Sequence, residues 1–321
     1  MKKNPYKYIF GPVPSRRFGR SLGIDLIPYK TCSLDCIFCQ LGRTTDKTVV
    51  RKEYVPIEAV LAEIKDWLQA DGDADYITLS GSGEPTLHTQ FGEVLKFLQD
   101  CPIPSALLTN GTMLHLPEVR AAASYADVVK VSLSAWDQQS FWWVNRPCPE
   151  LTFDRFIEGQ KDFRTLYKGE LWLEIFLMLG INSMPKDIEK IAAFAKTIQP
   201  DRIQLNTVVR PPAEDFAVAL SKDRLKALSR LFDPPAEITA EFSTDHAKDI
   251  LTTEDAIFSM LQRRPCTIED IDQAFGLHIN ETSKYLGKLM RTHHVQSHYI
   301  NTSVYYSAVV KQDTQNVGLP T

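Results

Sequence analysis

Three cysteines, Cys32, Cys36 and Cys39, lie within one run of eight residues, Cys32-Ser33-Leu34-Asp35-Cys36-Ile37-Phe38-Cys39. The other three, Cys101, Cys148 and Cys266, are scattered singly. Six cysteines in 321 residues are too few for a disulfide scaffold, so the C-x3-C-x2-C cluster points to metal or redox chemistry. A structural zinc site takes four closed ligands, usually as two spaced pairs. Here the next histidine is His88 and the next cysteine Cys101, and no second pair follows. Thiolates are the ligands of a cubane iron–sulfur cluster. Three thiolates for four irons leave one iron open to bind and activate a molecule, which points to catalysis rather than plain electron transfer.

A second chemical feature is the loop Ser80-Gly81-Ser82-Gly83-Glu84-Pro85-Thr86. Its glycines let the backbone approach a ligand closely and expose amide and carbonyl groups. Thr109-Asn110-Gly111, Ser132 and Ser134 end the segments that follow. Polar groups converging on one sheet edge are what a small-molecule pocket needs.

The elements that must position these residues read as α/β. Apolar runs at Ser21–Ile27, Tyr76–Ser80, Ser105–Thr109, Val128–Leu133, Leu173–Leu179 and Arg202–Thr207 predict strands. Between them lie helical patterns, one opened by Pro56 and carried by Ile57, Val60, Leu61, Ile64, Trp67 and Leu68. Others cover Phe91–Leu98, Leu116–Tyr125, Phe153–Tyr167, Ile188–Ile198 and Leu225–Phe232. Six strand–helix units predict a partial (βα)6 barrel, with ligands at the carboxyl ends of its strands. The cysteine loop directly follows the first of those strands. From about Thr252 the rhythm changes to three short helices, around Ala256–Leu261, Ile268–Phe275 and Asn280–Arg291, and two β-prone runs, Val295–Ile300 and Ser303–Val309. That is a winged-helix pattern. The expected organisation is a barrel over 1–245, a winged-helix-like domain over 246–310 and a polar tail over 311–321.

The cysteine run together with Gly81-Ser82-Gly83-Glu84-Pro85 resembles the radical S-adenosylmethionine (SAM) superfamily. The resemblance covers about residues 8–210. It implies a 4Fe–4S cluster on Cys32, Cys36 and Cys39, with SAM chelated at the open iron. It further implies one-electron cleavage of SAM to methionine and a 5′-deoxyadenosyl radical that abstracts hydrogen from a substrate. Phe38 would contact adenine, and the turn formed by Gly81, Ser82, Gly83 and Glu84 would meet the methionine amino group through its backbone. Ser132, in Lys130-Val131-Ser132-Leu133, would approach SAM, and Asn110 and Asn206 join the cofactor-binding set. The segment Gly11-Pro12-Val13-Pro14-Ser15-Arg16-Arg17-Phe18-Gly19-Arg20 and the run Gln40-Leu41-Gly42-Arg43-Thr44 narrow the likeness. Both resemble an uncharacterised prokaryotic group related to the tRNA wybutosine-synthesis radical enzymes. Those enzymes carry a second cysteine set ahead of the SAM motif, and residues 1–31 hold none. Only the cofactor chemistry is therefore carried over.

The net charge is −4, 44% of residues are hydrophobic and 10% aromatic, which excludes a disordered chain and gives no global attraction to nucleic acid. No run of about 18 apolar residues exists to span a membrane, and no apolar stretch follows the N-terminal residues, so a cytoplasmic protein is expected. Arg16, Arg17 and Arg20 read either as an anion site or as a solvated, salt-bridged cluster. Phe141-Trp142-Trp143 reads as an aromatic loop or as packing, and Cys148 as an inert hydrophobe more than as a functional thiol. Glu174 points into the barrel or outward. The leading expectation is a radical SAM enzyme modifying a macromolecule, tRNA ahead of peptide, reduced by a flavodoxin- or ferredoxin-like donor. RNA or protein would dock through the C-terminal domain. The alternatives are a peptide modifier or glycyl-radical activase, and a winged-helix regulator that senses the cluster.

Overall fold

The structure, a computed structural model, describes residues 6–239, 254–300 and 303–309. Its centre is one eight-stranded sheet. The first two strands, β1 (Ile9–Ser15) and β2 (Gly19–Ile24), form an antiparallel hairpin. From β2 the sheet runs parallel through β5 (Tyr76–Leu79), β6 (Ser105–Leu108), β7 (Val128–Ser132), β8 (Glu170–Leu177), β9 (Arg202–Thr207) and the short β10 (Glu237–Ile238). Two short paired strands, β3 (Thr31–Cys32) and β4 (Asp46–Lys47), lie in the connection after β2. The crossovers carry α1 (Ile57–Gln69), α2 (Phe91–Leu98), α3 (Pro117–Ala123), α4 (Gln138–Val144), α5 (Phe153–Leu166), α6 (Pro185–Ile198) and α7 (Lys222–Ser229).

Successive residues of a strand point to opposite faces, and here the two faces differ in chemistry. Ile77, Leu79, Leu107, Val129, Val131, Leu173, Ile175 and Leu205 join the large apolar core with Val60, Ile64, Val94, Ile157 and Ile188 of the helices. The opposite face lines the barrel. At its floor Phe18 stacks on Trp172 with ring centroids 5.0 Å apart and meets Tyr76 edge-on at 4.9 Å. Above this plug the lining turns polar, with Ser132, Glu174 and Gln204 in lateral register, Phe176 opposite Asn206 in the next layer, and Lys130 reaching Glu174 from the layer of Trp172.

The six expected strands correspond to β2 and β5–β9. The sequence reading did not foresee β1. Pro12 and Pro14 leave it without two backbone donors, and its ladder to β2 is irregular between Phe10 and Val13, so an alternating strand signature is missing. Its turn matters, because it carries Arg17 and Phe18 into the barrel. Phe141-Trp142-Trp143, read as an aromatic loop or as packing, is part of α4. A capping box between Asp137 and Ser140 starts that helix and buries Phe141 and Val144. Seven residues are too few for a helical period to be visible.

The C-terminal elements are α8 (Glu254–Arg263), α9 (Ile268–Phe275), α10 (Ile279–Arg291) and an antiparallel pair, β11 (Val295–Ile300) and β12 (Ser303–Ala308). Three helices with a two-stranded wing make a small winged-helix domain. It has its own core of Ile257, Leu261, Ile271, Phe275, Leu286 and Leu289, against which Val13 of β1 packs. Gly276 closes α9 at φ 63°, a left-handed turn that glycine adopts without steric cost. The expected boundary at 245/246 and the polar tail 311–321 lie outside the described residues. No helix among the described residues is long and apolar enough to cross a membrane.

Candidate active site

The cysteine loop leaves β2 at the carboxyl edge of the sheet and is pinned by backbone bonds to a distant segment. Asp35 N donates to Asn145 O at 3.0 Å, Ile37 N to Val144 O at 3.1 Å, and Cys148 N to Ser33 O at 3.0 Å. All three clustered cysteines are free thiols, and each has a donor beside its sulfur. Asn110 Nδ2 stands 3.5 Å from Cys32 Sγ, Asn145 Nδ2 3.3 Å from Cys36 Sγ, and Lys30 Nζ 4.0 Å from Cys39 Sγ. Burial, and next the Glu84 carboxylate, push the Cys32 thiol up to about 12. Burial and the neighbouring Cys32 hold Cys36 well above the usual thiol range. A bound cation reverses that balance, since a coordinating thiol is deprotonated outright. Among the described residues no three His, Cys, Asp or Glu side chains converge closely enough to hold one metal ion. A cluster that gives each thiolate its own iron needs no such convergence. The donor set and the amides aimed at sulfur therefore fit a 4Fe–4S group.

The glycine-rich loop after β5 is bonded directly to the cysteine loop. Lys30 N donates to Ser82 O at 2.7 Å, and Glu84 N to Thr31 O at 3.1 Å. Gly83 has no room for a side chain, because a Cβ there would overlap the Thr31 carbonyl oxygen and crowd Ile27. Gly81 sits at φ 130° against the Asp25 carboxylate. The Glu84 side chain is buried and turned away from the loop surface. Its Oε1 accepts from Thr86 Oγ1 and Thr109 Oγ1, each at 2.6 Å, and its Oε2 from Asn110 N at 2.7 Å. Burial raises its pKa and these bonds oppose the rise. Glu84 thus ties the ends of β5 and β6 together, while its backbone stays with the cysteine loop. The Ser82 hydroxyl donates to Asp25 Oδ2 at 2.7 Å and accepts from Arg263 Nη1 of α8 at 2.9 Å.

Asn110 links the two loops, its Nδ2 also donating to Ser33 Oγ at 2.9 Å. Phe38 stacks on Phe176 of β8, centroids 4.3 Å apart and 10° from parallel. Ser132 ends β7, with its carbonyl accepting from Gln160 Nε2 at 3.2 Å. Asn206, opposite Phe176, donates to Glu174 Oε1 at 3.1 Å. Glu174 points inward, paired with Arg17 through one oxygen and Lys130 through the other. Burial, and next the Arg17 and Arg16 charges, hold the Lys130 ammonium well below the usual lysine range.

The fold therefore gathers Cys32, Cys36, Cys39, Gly81, Ser82, Gly83 and Glu84 into two bonded loops joined by Asn110 from the end of β6, with Phe38 against the adjoining barrel wall that carries Ser132 and Asn206. Sequence reasoning did not select Asn145, Lys30 or Asp25. Asn145 approaches Cys36 across 109 positions, and nothing local signals that contact. Arg20 pairs with Asp73 and Asp75 ahead of β5, at the opposite edge of the sheet. Cys148 is buried in the main core and Trp142 and Trp143 are exposed.

A partial parallel barrel with a three-cysteine loop and a glycine-rich loop at its carboxyl edge is the architecture of radical SAM enzymes. Residues 26–195 match the Radical SAM superfamily. UPF0026 protein MJ1312 of Methanocaldococcus jannaschii is 32% identical over 331 residues, covering 97% of this chain and 99% of the relative. A Brachyspira hyodysenteriae protein named GTPase Obg is 35% identical over 306 residues, and the chain spans only 45% of that relative's length. Among solved structures, TYW1 with a lysine–pyruvate adduct bound aligns with a TM-score of 0.52 at 17% identity, over 68% of this chain and 74% of that one. A radical SAM methyltransferase from Sphaerobacter thermophilus aligns at 0.50 and 16%, over 70% and 67%. Those two likenesses concern the fold. The chain belongs to the radical SAM superfamily, and it is an enzyme of that superfamily with uncharacterised UPF0026 relatives.

Proposed function

We propose that this protein cleaves SAM reductively on a 4Fe–4S cluster held by Cys32, Cys36 and Cys39. When bound, the cluster supplies the electron and the open iron for SAM cleavage to methionine and a 5′-deoxyadenosyl radical. The observation that carries this reading is the set of three half-buried thiols on a loop hydrogen-bonded to the Gly83 turn, with Asn110 and Asn145 amides at two of the sulfurs. Asn110 and Asn145 orient Cys32 and Cys36 and disperse thiolate charge. Gly81, Ser82, Gly83 and Glu84 present backbone to the methionine end of SAM. Phe38, backed by Phe176, takes the adenine face. Ser132 and Asn206 line the approach to the ribose and substrate side, and the apolar floor around Phe18 and Trp172 excludes water from below.

For the substrate we favour a macromolecule, RNA ahead of peptide. Support comes from the winged-helix unit beside the cysteine loop and from the sequence resemblance to the wybutosine-synthesis group. We assign residues 1–245 to the barrel and 246–310 to the unit that receives that substrate. A flavodoxin- or ferredoxin-like reductant and a cytoplasmic location complete the reading, since such a cluster needs a low-potential donor.

Anaerobic reconstitution followed by incubation with SAM and a reductant tests it. Wild-type protein should release 5′-deoxyadenosine, and Cys36→Ala should lose both cluster and product. Reconstituted Cys36→Ala that still cleaves SAM would defeat the assignment. With deuterium-labelled cellular fractions, label entering 5′-deoxyadenosine from the RNA fraction supports RNA. Label from the protein fraction alone overturns that preference.

A further inference from the structure

The glycine-rich turn after β5 is held at its centre, on Ser82. Ser82 N donates to Asp25 Oδ1 at 3.2 Å and Ser82 Oγ to Asp25 Oδ2 at 2.7 Å, while Ser82 O accepts from Lys30 N at 2.7 Å. Glu84 N is taken by Thr31 O at 3.1 Å. Among the described residues, the N–H and C=O groups of Gly81 and Gly83 make no hydrogen bond, and both glycines are half-buried. They are the backbone that the turn has left to offer a ligand. Where they point is set by whatever fixes Ser82 between them.

Asp25, Lys30 and Thr31 hold the turn from within the barrel, whereas Arg263 reaches it from α8 of the winged unit. Its Nη1 pairs with Asp25 Oδ2 and donates to Ser82 Oγ at 2.9 Å, so arginine, carboxylate and hydroxyl close a ring of three bonds. The guanidinium is also clamped from the side of β1, 3.9 Å from the Phe10 ring centroid, and Phe10 itself lies where a side chain at Gly23 would stand. The Asp25 side chain is only 12% exposed and that of Arg263 26%. Charge-assisted bonds shielded from water are the strong ones, and a planar fork held against a ring has little freedom to drift. Arg264 donates to Pro14 O at 3.2 Å and Val13 packs on the winged core, which seats α8 on β1 beside this ring.

We propose that Arg263 is a positioning residue for SAM, through which the docked winged unit fixes Ser82 and so aims the Gly81 and Gly83 backbone at the methionine end of the cofactor. The identity of the ligand rests on the proposed function above, whereas the hold of Arg263 on the turn does not. Without Arg263, Ser82 Oγ loses a donor, Asp25 loses its cation, and the turn loosens between its two glycines. Seating of α8 and binding of SAM are then linked, and the linkage is reciprocal: the factor by which docking tightens SAM is the factor by which SAM tightens docking. The unit assigned to receive the substrate thereby also readies the cofactor turn.

Amide hydrogen exchange on the cluster-free full-length protein tests the hold on the turn. Arg263→Gln should speed exchange across residues 80–84 severalfold, while β6 keeps its wild-type rates. Calorimetric titration of the anaerobic, cluster-loaded protein with SAM tests the consequence, with iron and sulfide measured on the same samples. Arg263→Gln should weaken SAM binding tenfold or more, and Arg263→Lys, which keeps the charge and loses the fork, by less. Lys288→Gln releases Glu254 inside the winged unit without touching the turn, and it should bind SAM as the wild type does. SAM should slow exchange in α8 of the wild type and not in α8 of Arg263→Gln. Turn exchange or SAM affinity that is unchanged in Arg263→Gln overturns the proposal, and so does an equal loss of affinity in Lys288→Gln, which would make the effect a general loosening. Wild-type protein that holds a cluster and binds no SAM defeats the proposed function together with this role, whereas SAM binding indifferent to Arg263 defeats this role alone.

Discussion

Arg263 of α8 donates one guanidinium nitrogen to Ser82 Oγ at 2.9 Å, and the same nitrogen pairs with Asp25, the residue after β2. Its guanidinium also lies 3.9 Å from the Phe10 ring centroid. One side chain thereby joins the winged unit to the loop that carries Gly81 and Gly83. Truncating one partner leaves the Asp25 carboxylate, mostly shielded from water, without its cation. Arg263→Ala should therefore destabilise the fold by about 1–3 kcal/mol. Proteolysis should then begin between the barrel and the winged unit. Urea unfolding and timed digestion check this, and wild-type digestion kinetics would contradict it.

Gly83→Ala tests how closely the two loops must approach. The added methyl collides with the Thr31 carbonyl, which is backbone and cannot rotate aside. Strain of about 1–3 kcal/mol is expected, and relieving it separates the loops. Iron incorporation should fall severalfold and SAM cleavage more than tenfold, read by iron analysis and 5′-deoxyadenosine yield.

Asn145 is the contact that sequence did not reveal. Asn145→Ala removes the amide 3.3 Å from Cys36 Sγ. Loss of a donor to a ligand sulfur makes the cluster harder to reduce, so the midpoint potential should move negative and SAM cleavage should slow roughly tenfold or more. A redox titration followed by electron paramagnetic resonance measures the shift, and an unmoved potential would assign Asn145 a purely structural role.

His88 carries the pH prediction. Its ring is fully buried, with Nε2 2.9 Å from Val55 O and Nδ1 accepting from Gln90 N at 3.1 Å. That pattern suits the neutral ring, and burial lowers its pKa below 6.5. The unfolded chain therefore binds a proton near pH 6.5 that the folded chain refuses. This contribution to stability is complete above about pH 6.5 and is lost as pH falls through the depressed folded value. Urea midpoints should drop between pH 7.5 and 5 more in the wild type than in His88→Gln. Equal slopes would remove His88 from the account.

Local spacing in the chain was enough to reveal much of this protein. Cys32, Cys36 and Cys39 lie on one short loop, and the βα rhythm from Ser21 to Thr207 has the period of a parallel sheet with crossover helices. The winged-helix pattern after Glu254 is equally local, because its core positions recur at helical spacing. Only the tertiary structure decided what surrounds the cysteines. Asn145 reaches Cys36, Arg263 reaches Ser82 and Arg17 reaches Glu174 across separations of 109, 181 and 157 residues. No periodicity encodes such a meeting. β1 was hidden for a different reason, since its prolines remove the donors that mark a strand. The orientation of Glu84 was also undecided, because a carboxylate beside glycines serves equally well as a ligand contact or as a clamp. Burial settled it, since an acid withdrawn from water must find donors, and Thr86, Thr109 and Asn110 are where the folded chain supplies them.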